Sequence, residues 1–164
     1  MLSTLIWLPV LGAAVIGFLP GKQTANQLRN MALAIATAIV LATFWLVSRF
    51  DITNSGMQFQ EFIPWIPQLG LNYKLGIDGL SFPLLALSSL LIWIAILASN
   101  NIQRPRLYYS LILLVYAGVA GGFAAQNLLL FVLFYEIELI PFYLLIAIWG
   151  GEKRGYAAMK FLIY

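Results

Sequence analysis

The chain has 164 residues, of which 62% are hydrophobic and 9% are charged, and its net charge is +3. Soluble domains carry roughly 25% charged residues, so this composition excludes an ordinary soluble protein and favours a polytopic α-helical membrane protein. Cysteine and histidine are absent, which excludes disulfides, thiolate clusters and imidazole ligation of zinc or haem. The small, scattered positive charge does not indicate a nucleic-acid partner, and the lipid bilayer is the expected surrounding.

Long apolar runs separated by short polar breaks predict an all-α transmembrane bundle in a single membrane domain, 1–164. The predicted helices are about 2–19, 31–50, 80–99, 107–125 and 128–149, with the start of a sixth at 156–164. The apolar run 107–149 is about twice as long as one crossing of a roughly 30 Å bilayer core requires, so it must turn back once. The polar pair Gln126-Asn127 marks that turn. The last segment is too short to cross, and we expect the sequence to be a fragment of a longer protein.

Residues 51–79 form the one long stretch of mixed polarity, and we expect it to be an outer loop. Its several prolines and glycines argue against a continuous helix. Alternating apolar and polar residues at 69–75 predict a strand or hairpin outside the membrane. The rings of Trp65 and Tyr73 are of the kind that prefers the membrane–water interface.

Basic residues are distributed unequally between the two sets of loops. Six lie in the loops between helices one and two, three and four, and five and six: Lys22, Arg29, Arg104, Arg106, Lys153 and Arg154. Only Arg49 and Lys74 belong to the other set. Because cytoplasmic loops carry an excess of Lys and Arg, we expect the amino terminus and the loop 51–79 to lie on the outer side.

Glu136 lies close to the middle of the predicted fifth helix, and we expect it to be buried there. An acidic residue at that depth costs about 2.5–3.5 kcal/mol on insertion scales, and such residues usually serve a function. Burial disfavours the charged form of a carboxyl group unless a cation or water compensates, so a nearby cation would allow proton uptake and release. The alternative is a protonated, hydrogen-bonded residue that only packs between helices.

Glu138 and Pro141 share the fifth helix with Glu136. Two residues correspond to about 200° around an α-helix, so the two carboxyl groups face opposite sides and cannot share one proton. One would face the protein interior and the other a neighbouring helix or subunit, and the sequence leaves open which is which. Pro141 deletes a backbone hydrogen bond beside Glu136, either to admit water or simply to shape packing.

Lys160 lies in the short apolar segment at the end of the chain. A lysine near the end of a membrane helix can extend its amino group to the interface. Alternatively it faces inward, as a proton carrier or as the counter-charge of a carboxylate. Both interpretations stay open at this point.

The segment Phe134–Leu145, followed by Trp149-Gly150-Gly151 and by Ala158–Tyr164, resembles the proton-pumping, antiporter-like membrane subunits of respiratory complex I and of its photosynthetic relative. Leu75–Ser81 resembles the outer loop before the third helix of that family. The Glu-x-Glu-Leu-Ile-Pro form is similar to that of cyanobacteria and plastids. The resemblance implies part of the first repeat of an antiporter-like fold.

In that family the glutamate matched by Glu136 is essential and pairs with a lysine on a later helix, which this chain does not reach. Lys160 matches a family lysine and ranks second, with Glu138 beside them as a third candidate for proton translocation. The resemblance implies a subunit of a proton-translocating NAD(P)H:quinone oxidoreductase, in a cyanobacterial thylakoid membrane with its amino terminus in the lumen.

The same resemblance implies that this chain holds no cofactor or metal. Other subunits would handle NAD(P)H, the iron–sulfur clusters and the quinone, which would be plastoquinone, and other membrane-arm subunits would be its partners. Two alternatives remain. One is a subunit of a multisubunit Na⁺/H⁺ antiporter, and the other is a membrane scaffold that does not pump.

Overall fold

A computed structural model of the chain describes residues 1–21, 23–54, 56–66, 68 and 70–164. This part of the chain contains six α-helices and two β-strands. In chain order they are α1 (Leu2–Phe18), α2 (Ala25–Val47), β1 (Gln58–Ile66), β2 (Leu71–Ile77), α3 (Ser81–Ala98), α4 (Pro105–Ala124), α5 (Leu128–Trp149) and α6 (Arg154–Ile163).

The helices have the lengths that a membrane requires. In the described part of the chain, α2, α3, α4 and α5 are long and apolar enough to cross a bilayer. The apolar α1 has 17 residues, which corresponds to about 26 Å and lies at the lower limit for a crossing. The predicted polytopic helical bundle is confirmed, with a two-stranded hairpin added to it.

The second helix begins at Ala25 rather than at residue 31, and it ends at Val47 rather than at residue 50. The early start has a local cause. The Gln27 amide N–H donates to the Thr24 hydroxyl at 3.3 Å, and the Thr24 N–H donates to the Gln27 side chain at 2.9 Å. This reciprocal cap satisfies two free N–H groups, so the helix begins within a segment that looks like a polar loop in the sequence.

The segment expected to be an outer loop contains an antiparallel hairpin, in which Ile63 pairs with Tyr73 and Phe62 with Lys74. Gly70 precedes β2 with a φ of +66°, a conformation that glycine adopts without steric cost. On the other side of the turn, Pro67 and Leu69 lie outside the described residues. The hairpin packs against the helices through Leu75, whose side chain is fully buried.

Helix α4 is the centre of the bundle and packs against α1, α2, α3 and α5. Its side chains Tyr109, Leu113 and Tyr116 are almost completely buried. Helix α5 packs on α4 along one side only, and α6 packs chiefly on α5. Much of the α5 surface is therefore left uncovered by this chain.

The loops divide between two opposite faces of the bundle. On one face, Arg106 donates to the Gly21 carbonyl at 2.8 Å, and the Trp149 indole N–H donates to the Gln103 carbonyl at 2.9 Å. Arg29 donates there to the Leu97 carbonyl. We call this the basic face; Lys22, which belongs to it in sequence, lies outside the described residues. The opposite face, which we call the hairpin face, carries the hairpin and the α4–α5 turn.

Candidate functional site

The site begins where α5 leaves the hairpin face. The Asn127 side-chain oxygen accepts hydrogen bonds from the N–H groups of Leu129 and Leu130, at 3.0 and 3.2 Å, and so caps the helix. Its amide nitrogen donates to the Gly70 carbonyl at 2.9 Å. The neighbouring Gln126 N–H donates to the Lys74 carbonyl at 2.9 Å. The two residues before α5 are thus bonded to the residue that precedes β2 and to the middle of β2.

The rotation of α5 about its axis is set by two glycines of α4. A methyl group on Gly118 would lie 2.7 Å from Cβ of Glu138, and one on Gly121 would overlap the Phe134 ring. Small residues of this kind let membrane helices approach closely. Phe134, Glu138 and Pro141 therefore lie on the side of α5 that faces α4, and Phe134 and Pro141 are buried there.

Glu136 lies on the opposite side of α5 and is exposed on the surface of this chain. The helices of this chain do not cover Glu136, so its burial in the membrane or against another part of the protein stays a prediction. The cause is the contact of Gly118 and Gly121 with Phe134 and Glu138, which leaves residue 136, about 160° away from Glu138, on the outer side. Its depth is as expected, about 12 Å from the start of the helix and 20 Å from its end.

Glu138 is half-buried against α4. Within this chain, Glu138 faces the other helices and Glu136 faces outward. Among the described residues, neither carboxyl group has a hydrogen-bond or ion-pair partner. The one ion pair found among them joins the Met1 amino group to Glu61 on the hairpin face.

Lys160 is exposed on α6. Its amino group lies 5.7 Å from the centre of the Tyr156 ring and 5.8 Å from that of Tyr164, both of which are cation–π distances. The structure does not place the Lys160 amino group beside either carboxyl group of α5. Helix α6 contacts α5 nearer the basic face, where the ring centres of Phe142 and Phe161 are 5.8 Å apart.

The arrangement offers a carboxyl group at membrane depth on an otherwise apolar helix surface. Its neighbours on that surface, Val132, Leu133 and Ile140, are all exposed. Within the described ranges, no three acidic side chains gather closely enough to hold a metal ion. The role of Asn127 was missed in the sequence, although an asparagine directly before an apolar helix is a common capping signal.

Comparison with known proteins gives consistent matches. Residues 125–164 match the model of the family described as NADH:quinone oxidoreductase/Mrp antiporter, transmembrane. An NAD(P)H-quinone oxidoreductase chain 4 of Microcystis aeruginosa is 46% identical over 165 aligned residues, covering 99% of this chain and 30% of the relative. The chain 4 proteins of a Synechocystis and a Nostoc species are 44% and 45% identical, also over 99% of this chain.

Over these 164 residues, the chain is thus similar to antiporter-like membrane subunits of the quinone oxidoreductases. The chain spans about 30% of the length of these relatives.

Two solved structures share the fold of this chain. Respiratory complex I from Thermus thermophilus contains a subunit that matches the whole chain with a TM-score of 0.80 and 27% identity, over 32% of that subunit. The archaeal membrane-bound sulfane sulfur reductase matches with a TM-score of 0.66 at 22% identity, which shows a common fold. The antiporter-like fold is thus confirmed for this chain.

Proposed function

We propose that the protein is a proton-translocating membrane-arm subunit of an NAD(P)H:quinone oxidoreductase, in which Glu136 takes up and releases the proton. One observation carries the proposal. A carboxyl group stands at membrane depth on the outer side of α5, inside the segment 125–164 that matches the family model. Intramembrane carboxyl groups are uncommon and usually belong to ion or proton pathways.

The chemistry requires a cation that approaches Glu136 and withdraws. Placing an acidic residue at this depth costs about 2.5–3.5 kcal/mol on insertion scales, and burial there disfavours its charged form. A positive charge about 4 Å away contributes about 4 kcal/mol at an effective dielectric constant near 20, which offsets that cost. An approaching cation therefore releases the proton, and its withdrawal favours uptake of another. The exposed side of α5 leaves room for a lysine from another part of the protein to supply this charge.

Glu138 and Lys160 have secondary roles in this proposal. Glu138 faces the helices of this chain and would relay protons between α4 and α5. Lys160 lies between two tyrosine rings at the basic face, where it would exchange protons with groups nearer the surface. The redox chemistry would take place elsewhere, because NAD(P)H, iron–sulfur clusters and quinone would be bound by other subunits of the complex.

The test is Glu136→Gln in the full-length subunit within its complex. The substitution keeps the shape of the side chain and removes its proton chemistry. We expect that the complex still assembles and that proton translocation falls by at least tenfold. Proton translocation is measured with a pH-sensitive dye in sealed membrane vesicles. Glu152→Gln is the matched control, because it removes the same charge from an exposed residue between α5 and α6. Unchanged translocation in Glu136→Gln would remove this residue from the mechanism.

A second candidate function is a subunit of a multisubunit Na⁺/H⁺ antiporter, because the description of the matching family includes such antiporters. The two functions differ in their driving force. An antiporter would move protons in response to a sodium gradient without NAD(P)H, whereas the proposed subunit would require electron transfer. A scaffold that does not pump would lose assembly, or nothing, in Glu136→Gln.

A cyanobacterial thylakoid membrane, with the amino terminus in the lumen, is the proposed location. Cyanobacterial relatives and the distribution of basic residues support it. Plastoquinone would be the electron acceptor of the complex in that membrane.

A further inference from the structure

An apolar groove of about 460 Å³ runs along α4 between α3 and α5. Both of these helices pack on α4, and the groove is the space that they leave over its surface. Its floor consists of α4 side chains, and its two sides come from leucines of α3 and from two residues of α5. The main residues that line it are Leu84, Leu87, Leu91, Val115, Val119 and Phe142.

The groove offers little to a polar or charged ligand. Among the described residues that line it, none is charged, and only Ser88 and Tyr116 carry a hydroxyl group. The Ser88 hydroxyl already donates to the Leu85 carbonyl at 2.8 Å, and the Tyr116 hydroxyl is buried within the bundle. Its occupant is therefore apolar, because the accessible surface of the groove is almost entirely hydrocarbon.

The length of the groove matches one leaflet of a bilayer. The groove extends from Leu84 to Ala95 on α3 and from Ile112 to Phe123 on α4, which is about 17 Å in each case. A bilayer core is roughly 30 Å thick, so one leaflet measures about 15 Å. A helix that crosses the membrane would extend about twice as far as the groove, whereas an acyl chain of one leaflet fits its length.

The groove lies in the leaflet on the hairpin face. Leu84 is three residues from the start of α3 and Phe123 is one residue from the end of α4, so both lie within about 5 Å of the hairpin-face ends of their helices. Phe142 and Leu145 line the opposite end, where Phe161 of α6 packs on the Phe142 ring. One end of the groove is thus near headgroup level and the other at about mid-membrane depth.

We infer that this groove holds one acyl chain of a phospholipid of the hairpin-face leaflet as a resident lipid. Leu84, Leu87 and Leu91 are 40%, 52% and 57% exposed, so the chain finds open hydrocarbon along α3. Val115 and Val119 lie beneath it on α4. Contacts between apolar atoms are individually weak but numerous, so a groove that surrounds the chain on three sides retains it longer than a convex helix surface does.

The experiment uses the full-length subunit in its complex, in vesicles that contain a phosphatidylglycerol with a diazirine on one acyl chain. One probe carries the diazirine at the end of the chain and another carries it near the ester, and cross-linked peptides are mapped by mass spectrometry. We expect the chain-end probe to label Phe142 and Leu145, and the ester-side probe to label Leu84 and Phe123. This order follows from a chain that enters at the hairpin face and ends at mid-membrane depth.

Two variants fill the groove from different helices. Val119→Phe and Leu87→Trp each place a larger ring in it, and each should reduce labelling of the groove by about fivefold or more. The matched control is Val15→Phe, which makes the same change at an exposed valine of α1 outside the groove. Labelling of the groove in this control should equal that of the unmodified complex.

Three outcomes would overturn the inference. Absence of labelling in the unmodified complex would show that protein covers the groove. Equal labelling in the two groove variants and in the control would indicate bulk lipid that touches the helices in passing. Complete displacement of the probe by a long-chain isoprenoid quinone would assign the groove to an isoprenoid tail in place of a phospholipid.

Discussion

Gly118 is the residue at which α4 and α5 come closest to the candidate site. A methyl group there would lie 2.7 Å from Cβ and 3.0 Å from Cα of Glu138, so the backbone of α5 would have to move. We expect Gly118→Ala to lower the free energy of unfolding by about 1–3 kcal/mol, as overpacking does in other cores. The measurement is unfolding of the purified full-length subunit in mixed detergent micelles.

Gly122 provides the matched control on the same helix. A methyl group there would lie 3.8 Å from the Phe131 ring, which is an ordinary contact. Gly122→Ala should therefore be neutral or slightly stabilising, since alanine favours helices over glycine by about 1 kcal/mol. Equal losses in the two variants would show that the contact of Gly118 with Glu138 does not limit the packing.

At the scale of residues, periodicity predicted that Glu136 and Glu138 face opposite sides, and the structure agrees. It could not predict which one faces inward, because the apolar residues of α5 surround the helix on every side. That choice depends on two small residues of another helix, Gly118 and Gly121, and on their exact depth. The outward position of Glu136 is thus a property of tertiary packing.

At the scale of elements, the start of α3 depends on Asp78. Its carboxylate accepts hydrogen bonds from the N–H groups of Ser81 and Leu80, at 2.7 and 3.1 Å. The backbone and side-chain hydrogen bonds from Ser81 hold the pKa of Asp78 below its usual value of 3.8. A lowered pKa stabilises the folded state above pH 3.8. That contribution is lost as the pH falls through the pKa that Asp78 has in the folded state.

Asp78→Ala should therefore lower the free energy of unfolding at neutral pH by about 0.5–1 kcal/mol, at the low end for a cap because solvent reaches the group. The difference in the free energy of unfolding between this variant and the unmodified protein should shrink once the pH is below the pKa of Asp78 in the folded state. Asp78→Asn keeps an acceptor for the same N–H groups, so it should retain most of the stability at neutral pH and lose the pH dependence. Unfolding curves of the full-length subunit at several pH values decide this, and parallel profiles for all three proteins would contradict it.

Element boundaries were predicted well where an apolar run meets a proline, a glycine or a charge. They were predicted less well where hydrogen bonds of side chains decide, as with the cap formed by Thr24 and Gln27. The strand β1 is the main element that the sequence did not reveal. Its residues do not alternate clearly, because few of them face the core and Phe62, Ile63 and Trp65 are all exposed.

At the scale of the whole molecule, the chain is a set of apolar helices with two chemically different faces. The alternation of basic content along the sequence predicted this division, and contacts within each face agree with it. Arg106 bonds to the α1–α2 loop, and Gln126 bonds to the hairpin. Hydropathy and charge suffice to predict which loops share a face, because a helix that crosses the bilayer can run in only one of two directions.

The two faces give a direct prediction of orientation in the membrane. The chain has no cysteine, so a single introduced cysteine labels one known place. Asn54 lies before the hairpin and Gln103 lies on the basic face, and both are exposed.

We expect a membrane-impermeant maleimide to modify Asn54→Cys from the lumenal side and Gln103→Cys from the cytoplasmic side of sealed thylakoid vesicles. The physical reason is the excess of six basic residues over two, because cytoplasmic loops carry an excess of Lys and Arg. Labelling of Asn54→Cys from the cytoplasmic side would reverse the proposed orientation and place the basic face in the lumen.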